Sequence, residues 1–256
     1  LFVADVVGTP GRRAIESRLA GLRDELDVQF CTLNGENVAD GVGITPKLAE
    51  RLLSAGADAI TLGNHVWRRQ EIVPYLNGAT RVIRPANLMS TAPGRGMCIA
   101  PAADGSPVAV INLIGQLFIE APRSPWEVVD QLVDEARRET DVIVVDMHAE
   151  ATSEKVAMAT WLDGKVTAVI GTHTHVQTND ARVLPGGTAA LSDAGMTGPH
   201  DSVIGVQSDL AIRRMRTGLP VRFETAAGDV RIEGAIVDCD ESGRARAIET
   251  VRVRVE

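Results

Sequence analysis

Two histidines one residue apart, His173 and His175, follow an apolar run in Val169-Ile170-Gly171-Thr172-His173-Thr174-His175-Val176. The chain has five histidines in all, so a pair at this spacing marks a site. A loop at a strand end can aim alternate imidazoles into one cleft, and neutral imidazole is the commonest metal ligand. The plainer alternative, that both only cap a turn, loses ground to four other positions. Asp5 interrupts an apolar strand, where a charge is costly unless paired or metal-bound; capping the next turn is its other reading. Glu36-Asn37, among glycines, reads on its own as a polar loop. Gly63-Asn64-His65 is more specific, because an amide oxygen can ligate a metal without adding charge. His148 follows Asp146 in an otherwise apolar strand and, alone, reads as a structural histidine. Together these positions supply two acidic groups, two amide oxygens and four imidazoles, enough to hold two divalent ions.

The elements that must position them follow from periodicity. Leu1 to Val7 reads as a strand, Gly8-Thr9-Pro10-Gly11 as a turn, and Ile15, Leu19, Leu22 and Leu26 as one face of a helix. Val28 to Leu33 is a strand running into Asn34-Gly35-Glu36-Asn37. Thr45 and Pro46 open a helix that Gly56 stops. Ala59 to Leu62, Val82 to Arg84, Val108 to Ile114, Val142 to Met147 and Val166 to Ile170 are further strands. Helices begin at Ser124-Pro125 and at about Ser153. The alternation implies a largely parallel sheet covered by helices, whose C-terminal strand edge is where ligands bind. The candidate residues all fall on that edge. Val221 to Glu256 instead reads as an antiparallel meander with turns at Ala227-Gly228-Asp229 and Glu241-Ser242-Gly243. His200 reads as a surface residue in a turn-rich loop, and Trp67, Trp126 and Trp161 as packing residues, Trp67 near enough to His65 to line a pocket. Gly41-Val42-Gly43 lacks the strand and helix context of a nucleotide-binding loop.

The length of 256 residues suits one large domain, with no repeat or long linker to divide it. A net charge of −8 argues against a stable nucleic-acid complex, whose affinity comes from Lys and Arg. Three dispersed cysteines suit a reducing cytoplasm. No segment approaches the ~18 apolar residues of a membrane span, and no leader is visible. The chain begins at Leu1 inside a strand, so an initiating Met and a residue or two are expected to precede it.

These motifs resemble those of the calcineurin-like metallophosphoesterases, and more narrowly a bacterial subfamily that includes 2′,3′-cyclic-nucleotide phosphodiesterases. The stretches that carry the resemblance are Asp5-Val6-Val7-Gly8, Asn34-Gly35-Glu36-Asn37, Ala57 to Trp67, Arg84-Pro85-Ala86-Asn87, Asp146 to Lys155, Gly171 to Thr178 and Gly195 to Pro199. Val7 replaces the histidine of the wider family's Asp-x-His, Glu36 replaces its bridging Asp, and Val66 stands where an acid is usual. Asn37 compensates for the absent histidine in the subfamily. Ala4 stands where Gly is expected, which matters only if the backbone needs a positive φ.

The resemblance implies an α/β fold over residues 1–256 as a single domain: two mixed β-sheets packed as a sandwich and flanked by helices, in four αββα layers. It implies two divalent or mixed-valence transition-metal ions, Fe, Mn or Zn. One would take Asp5, Glu36, Asn37 and His175, and the other Glu36, Asn64, His148 and His173, with Glu36 bridging. A hydroxide shared by the ions would attack phosphorus in line, and His65, free of ligation, would protonate the leaving oxygen as general acid. Arg84 is the one nearby candidate for a phosphate clamp. The expected substrate is a small phosphoester or nucleotide, with a phosphomonoesterase or a regulatory nucleotide-binding protein as alternatives. A general acid has no use in a pure binder, which speaks against the last. Native metal, substrate and homo-oligomerisation stay open.

Overall fold

The computed structural model describes residues 1–255. The chain opens with two short strands, β1 (Phe2–Val3) and β2 (Asp5–Val6), then α1 (Gly8–Glu25), β3 (Thr32–Asn34), α2 (Pro46–Ser54), β4 (Ala59–Thr61) and α3 (Ile72–Gly78). Next come β5 (Met97–Pro101), β6 (Pro107–Ile114), α4 (Val129–Ala136), β7 (Ile143–His148), α5 (Thr152–Trp161) and β8 (Ala168–Thr172). The last third holds β9 (Arg182–Val183), β10 (Ala189–Leu191), β11 (Met196–Asp201), α6 (Ser208–Thr217), β12 (Gly228–Cys239) and β13 (Ala245–Arg254).

The strands form two mixed sheets, the arrangement expected of a metallophosphoesterase. One runs β2-β11-β12-β1-β3-β4, with β13 paired to β12; the other runs β5-β6-β7-β8-β10-β9. Apolar residues of α1 and α2 pack against the outer face of the first sheet, and those of α4 and α5 against the second. Between the sheets Phe2, Ala4, Ile170, Leu191 and Ala235 form a shared core of mostly small side chains. With few aromatics available, close sheet packing rests on Ala, Val and Ile.

Several elements differ from the sequence expectation. Leu1 to Val7 is not one strand: β1 pairs with β3 and β12, while β2 switches to β11. Ala4, at the switch, does not take a positive φ, so its replacement of Gly is unstrained. Gly8 to Gly11 is no turn but the start of α1, because the Gly11 N–H reaches Val7 O at 3.1 Å and Pro10 occupies a first-turn position that needs no donor. Val28 to Leu33 narrows to β3. Val82 to Arg84 makes only a single bridge to Ile60. Thr45 does cap α2, accepting the Leu48 N–H. Met196 to Asp201, read as a loop, is β11, buried at its start despite its Gly and Pro. Helix α6 went unread because only Ala211 is buried, leaving no apolar stripe. Ala227-Gly228-Asp229 leads into β12 rather than turning the chain, whereas Glu241-Ser242-Gly243 does close the β12–β13 hairpin.

Core position sets a stability expectation. Leu33, fully buried in β3, should cost about 2–5 kcal/mol when replaced by Ala. Met215→Ala, at a residue 76% exposed on α6, should stay within ~0.5 kcal/mol. Urea unfolding of the two variants checks the contrast.

Candidate metal centre

Both sheets bring the strand ends that carry the candidate residues to one place. Ile114, His148 and Thr172 close β6, β7 and β8 in register, and Asn34 and Thr61 close β3 and β4 side by side. His148 Nε2 lies 3.0 Å from Asn64 Oδ1, 3.1 Å from His173 Nδ1 and 3.3 Å from Glu36 Oε1. Glu36, His148 and His173 offer ligand atoms that all lie within 4.8 Å of one another and could hold a metal ion. Beside them, His175 Nε2 is 3.7 Å from Asp5 Oδ1 and 3.1 Å from Asn37 Nδ2. Asn37 Nδ2 also reaches Glu36 Oε1 at 3.1 Å, so Glu36 touches both groups. Gly63 leaves the room for this convergence, since a Cβ there would overlap both Glu36 and the His148 ring.

The chemistry of the donors fits a cation. Three imidazole nitrogens, two carboxylates and an amide oxygen face inward; the backbone N–H groups of His65 and His173 and the Asn37 amide donate to the carboxylates, and the remaining lone pairs meet one another across shared protons. As placed, Asn37 presents its nitrogen to Asp5, Glu36 and His175. Ligation through Oδ1 takes a half-turn of the amide, an exchange of near-isosteric ends.

Each of the three imidazoles is also held from behind. His148 Nδ1 donates to Thr172 Oγ1 at 2.9 Å, and that hydroxyl donates to Asp146 Oδ1 at 2.6 Å. His173 Nε2 faces Glu150 Oε2 at 3.2 Å. His175 Nδ1 donates to Ile204 O at 3.0 Å. Acceptors at the far nitrogens fix the tautomers that leave the inward nitrogens with their lone pairs.

Electrostatics describe how the cluster stands without an ion. Burial pushes the His148 imidazole down, but the Glu36 carboxylate outweighs it and lifts it to about 9. Burial and the charge of His148 push His173 down to about 4. Burial would raise Glu36 and Asp5, yet the neighbouring His148 and His175 hold both carboxyls below their ordinary values. Burial lifts Asp146 to about 6. With Glu36 raising it, the His148 ring holds the proton that Glu36, Asn64 and His173 face.

The structure brings Asp5, Glu36, Asn37, Asn64, His148, His173 and His175 into one cluster, with His65 against it. Val7 and Val66 are both buried, and Asn37 occupies the place beside Asp5 and His175. Arg84 does not belong: it is buried, and its guanidinium donates to the carbonyls of Pro85, Ala92 and Pro93, so it cannot clamp a phosphate. His200 is not a free surface residue; it stands on β11, half-buried, with Nε2 at 3.2 Å from Met196 O. Trp67 packs against the first sheet's core, whereas Trp126 and Trp161 are not core residues: both are exposed and meet edge to face at the surface. Sequence reasoning assigned no role to Asn34, Asp146, Glu150 or Thr172. Asp146 alone carried a signal, as a charge inside an apolar strand. Asn34 holds it from the other sheet, donating to Asp146 Oδ2 at 3.1 Å.

The family model described as YmdB-like protein matches residues 1–251. A Bacillus subtilis (strain 168) protein named 2′,3′-cyclic-nucleotide 2′-phosphodiesterase is 42% identical over 255 residues, covering 100% of this chain and 96% of its own. The crystal structure of a hypothetical protein from Thermus thermophilus is similar with a TM-score of 0.92 and 37% identity, covering 99% of this chain and 98% of that one. The crystal structure of a novel phosphatase from Mycoplasma pneumoniae gives a TM-score of 0.90 and 32% identity over 99% of this chain and 92% of that one.

A metal ion entering this cluster must displace the His148 proton, because proton and ion compete for the same lone pair. Metal affinity is expected to rise about tenfold per pH unit below the His148 value of about 9 and to level off above it. Chelator-competition isotherms at a series of pH values check this; an affinity that does not change with pH would contradict it.

Proposed function

This chain belongs to the YmdB-like family, and on that footing we propose that it is a two-metal phosphodiesterase for small phosphoesters, 2′,3′-cyclic nucleotides foremost. It is an enzyme of the phosphodiesterase and phosphatase class. The observation that carries the metal reading is that all three inward-facing imidazoles have their far nitrogens held by acceptors. One ion would be held by Asp5, Glu36, Asn37 and His175, and the other by Glu36, Asn64, His148 and His173. Imidazole, carboxylate and amide donors in this mixture suit Fe, Mn or Zn. Such ions supply Lewis acidity, which neutralises phosphate oxygens and makes water nucleophilic near neutral pH.

The chain's own part in the reaction falls to His65. Its backbone N–H donates to Glu36 Oε2 at 3.0 Å, which ties it to the cluster. Its ring Nδ1 lies 2.8 Å from Asn37 Oδ1 and 3.4 Å from Glu36 Oε1. Asn37 Oδ1 accepts the Nδ1 proton as the amide stands; a half-turn of that amide would bring its NH2 to Nδ1 and leave Glu36 Oε1 as the nearest acceptor. Nε2 is then the nitrogen left for substrate. As general acid, His65 would give the Nε2 proton to the departing ribose oxygen and keep the proton on Nδ1. Burial of Arg84 favours diesters over monoesters, because it withdraws the cation that would have met a second phosphate charge.

Two outcomes test this reading. Chelation should abolish turnover, and transition metals should restore it far better than Mg, which prefers oxygen ligands and water; full recovery with Mg alone would count against the site. His65→Ala should keep its metal content while losing about 10²–10⁴-fold in turnover on cyclic nucleotides. It should lose much less on a nitrophenyl ester, whose leaving group departs without a proton. Metal analysis run beside both assays decides it: equal losses on the two substrates would argue against His65 as the acid.

A further inference from the structure

His173 and His175 both take left-handed backbone, with φ of +103° and +62°. Neither has glycine's freedom, so this conformation persists only where the surroundings over-determine it. The residue between them is where the surroundings act. The Thr174 N–H donates to Asp193 Oδ2 at 3.1 Å and its hydroxyl to the same oxygen at 2.8 Å. Lys155 Nζ, from α5, reaches that oxygen at 2.7 Å, and the Gly195 N–H donates to Asp193 Oδ1 at 2.9 Å. Both side chains of the pair are 1% exposed. Gly171 makes way for the lysine, because a Cβ there would lie 2.7 Å from Lys155 Cδ and would overlap the Ser192 carbonyl.

We propose that Lys155 and Asp193 are positioning residues for the metal centre: their buried ion pair grips Thr174 and so keeps His173 and His175 aimed into one cleft. The inference rests on the reading of those two histidines as metal ligands. A buried ion pair is no cheaper than apolar packing of the same volume, so core stability does not account for this one. What an apolar pair could not do is accept two hydrogen bonds from Thr174. The lysine neutralises the carboxylate and fixes its rotamer, and the carboxylate fixes the loop. The motif Gly-Thr-His-Thr-His then has a use at every position. Gly171 admits Lys155, Thr172 orients His148, and Thr174 is the handle between two ligands.

The test uses Co²⁺ as the probe on metal-free protein, with affinity from chelator competition and melting of the metal-free form measured alongside. Thr174→Val keeps the backbone bond to Asp193 but removes the hydroxyl's bond to it and the long Val176 N–H contact that the hydroxyl accepts; it should lower Co²⁺ affinity about 10–100-fold, the usual effect of losing a group that orients a ligand, while melting stays near wild type. Thr174→Ser should restore the affinity. Lys155→Met should weaken Co²⁺ binding similarly; if it does not fold, the Thr174 variants still decide. Wild-type affinity in Thr174→Val, or a loss that Thr174→Ser does not rescue, would overturn the inference. Failure of the wild-type protein to bind Co²⁺ would overturn the metal reading and this inference with it.

Discussion

The carboxylate of Glu36 is a buried charge at the junction of two sheets, and much of the molecule is arranged around it. Such a group is tolerated only when partners meet it on every side. The His65 backbone, the Asn37 amide and the His148 ring supply those partners from three separate segments. Their approach requires a bare backbone at Gly63. It also requires that strands of both sheets end at one level, which the parallel registers of β3 with β4 and of β6, β7 and β8 provide. The fold thus delivers donors, and the carboxylate makes their crowding favourable.

Around the inward-facing atoms lies a layer with a different task. Thr172, Glu150 and the Ile204 carbonyl do not face the cluster's centre; each takes the far nitrogen of one histidine. Behind Thr172 stands Asp146, itself held by Asn34 from the opposite sheet. Orientation of the imidazoles is therefore set by long-range contacts rather than by rotamer preference alone. Hydrogen bonds of this kind lower the freedom of each imidazole, the kind of orientation that metal-binding histidines receive from their outer partners.

Some of this was legible along the chain. The spacing of His173 and His175, the Asn64-His65 pair and the interruption of apolar strands by Asp5 and Asp146 are local features. Helices α1 and α4 were legible as well, because each buries one face and shows it as a period, and α2 because its cap and its stop are local signals. Helix α6 and strands β9 and β11 were not. The helix is exposed nearly all round, the first strand is two residues long, and the last carries Gly and Pro inside a sheet.

By itself the sequence determined which residues stand at strand ends and which chemical types they bring, since both follow from near-neighbour pattern. Only the tertiary structure decided what each one touches. Arg84 looked like a clamp until its donors were found spent on backbone carbonyls. Asp193 carried no local signal, and its part emerges only where Lys155 and Thr174 meet on it. Asn34 and Asp146, 112 positions apart, join only because two sheets pack face to face. The physical reason is range: burial and periodicity act over a few residues of chain, whereas the partners of a buried polar group are chosen by whatever the packed sheets bring within a hydrogen bond's length.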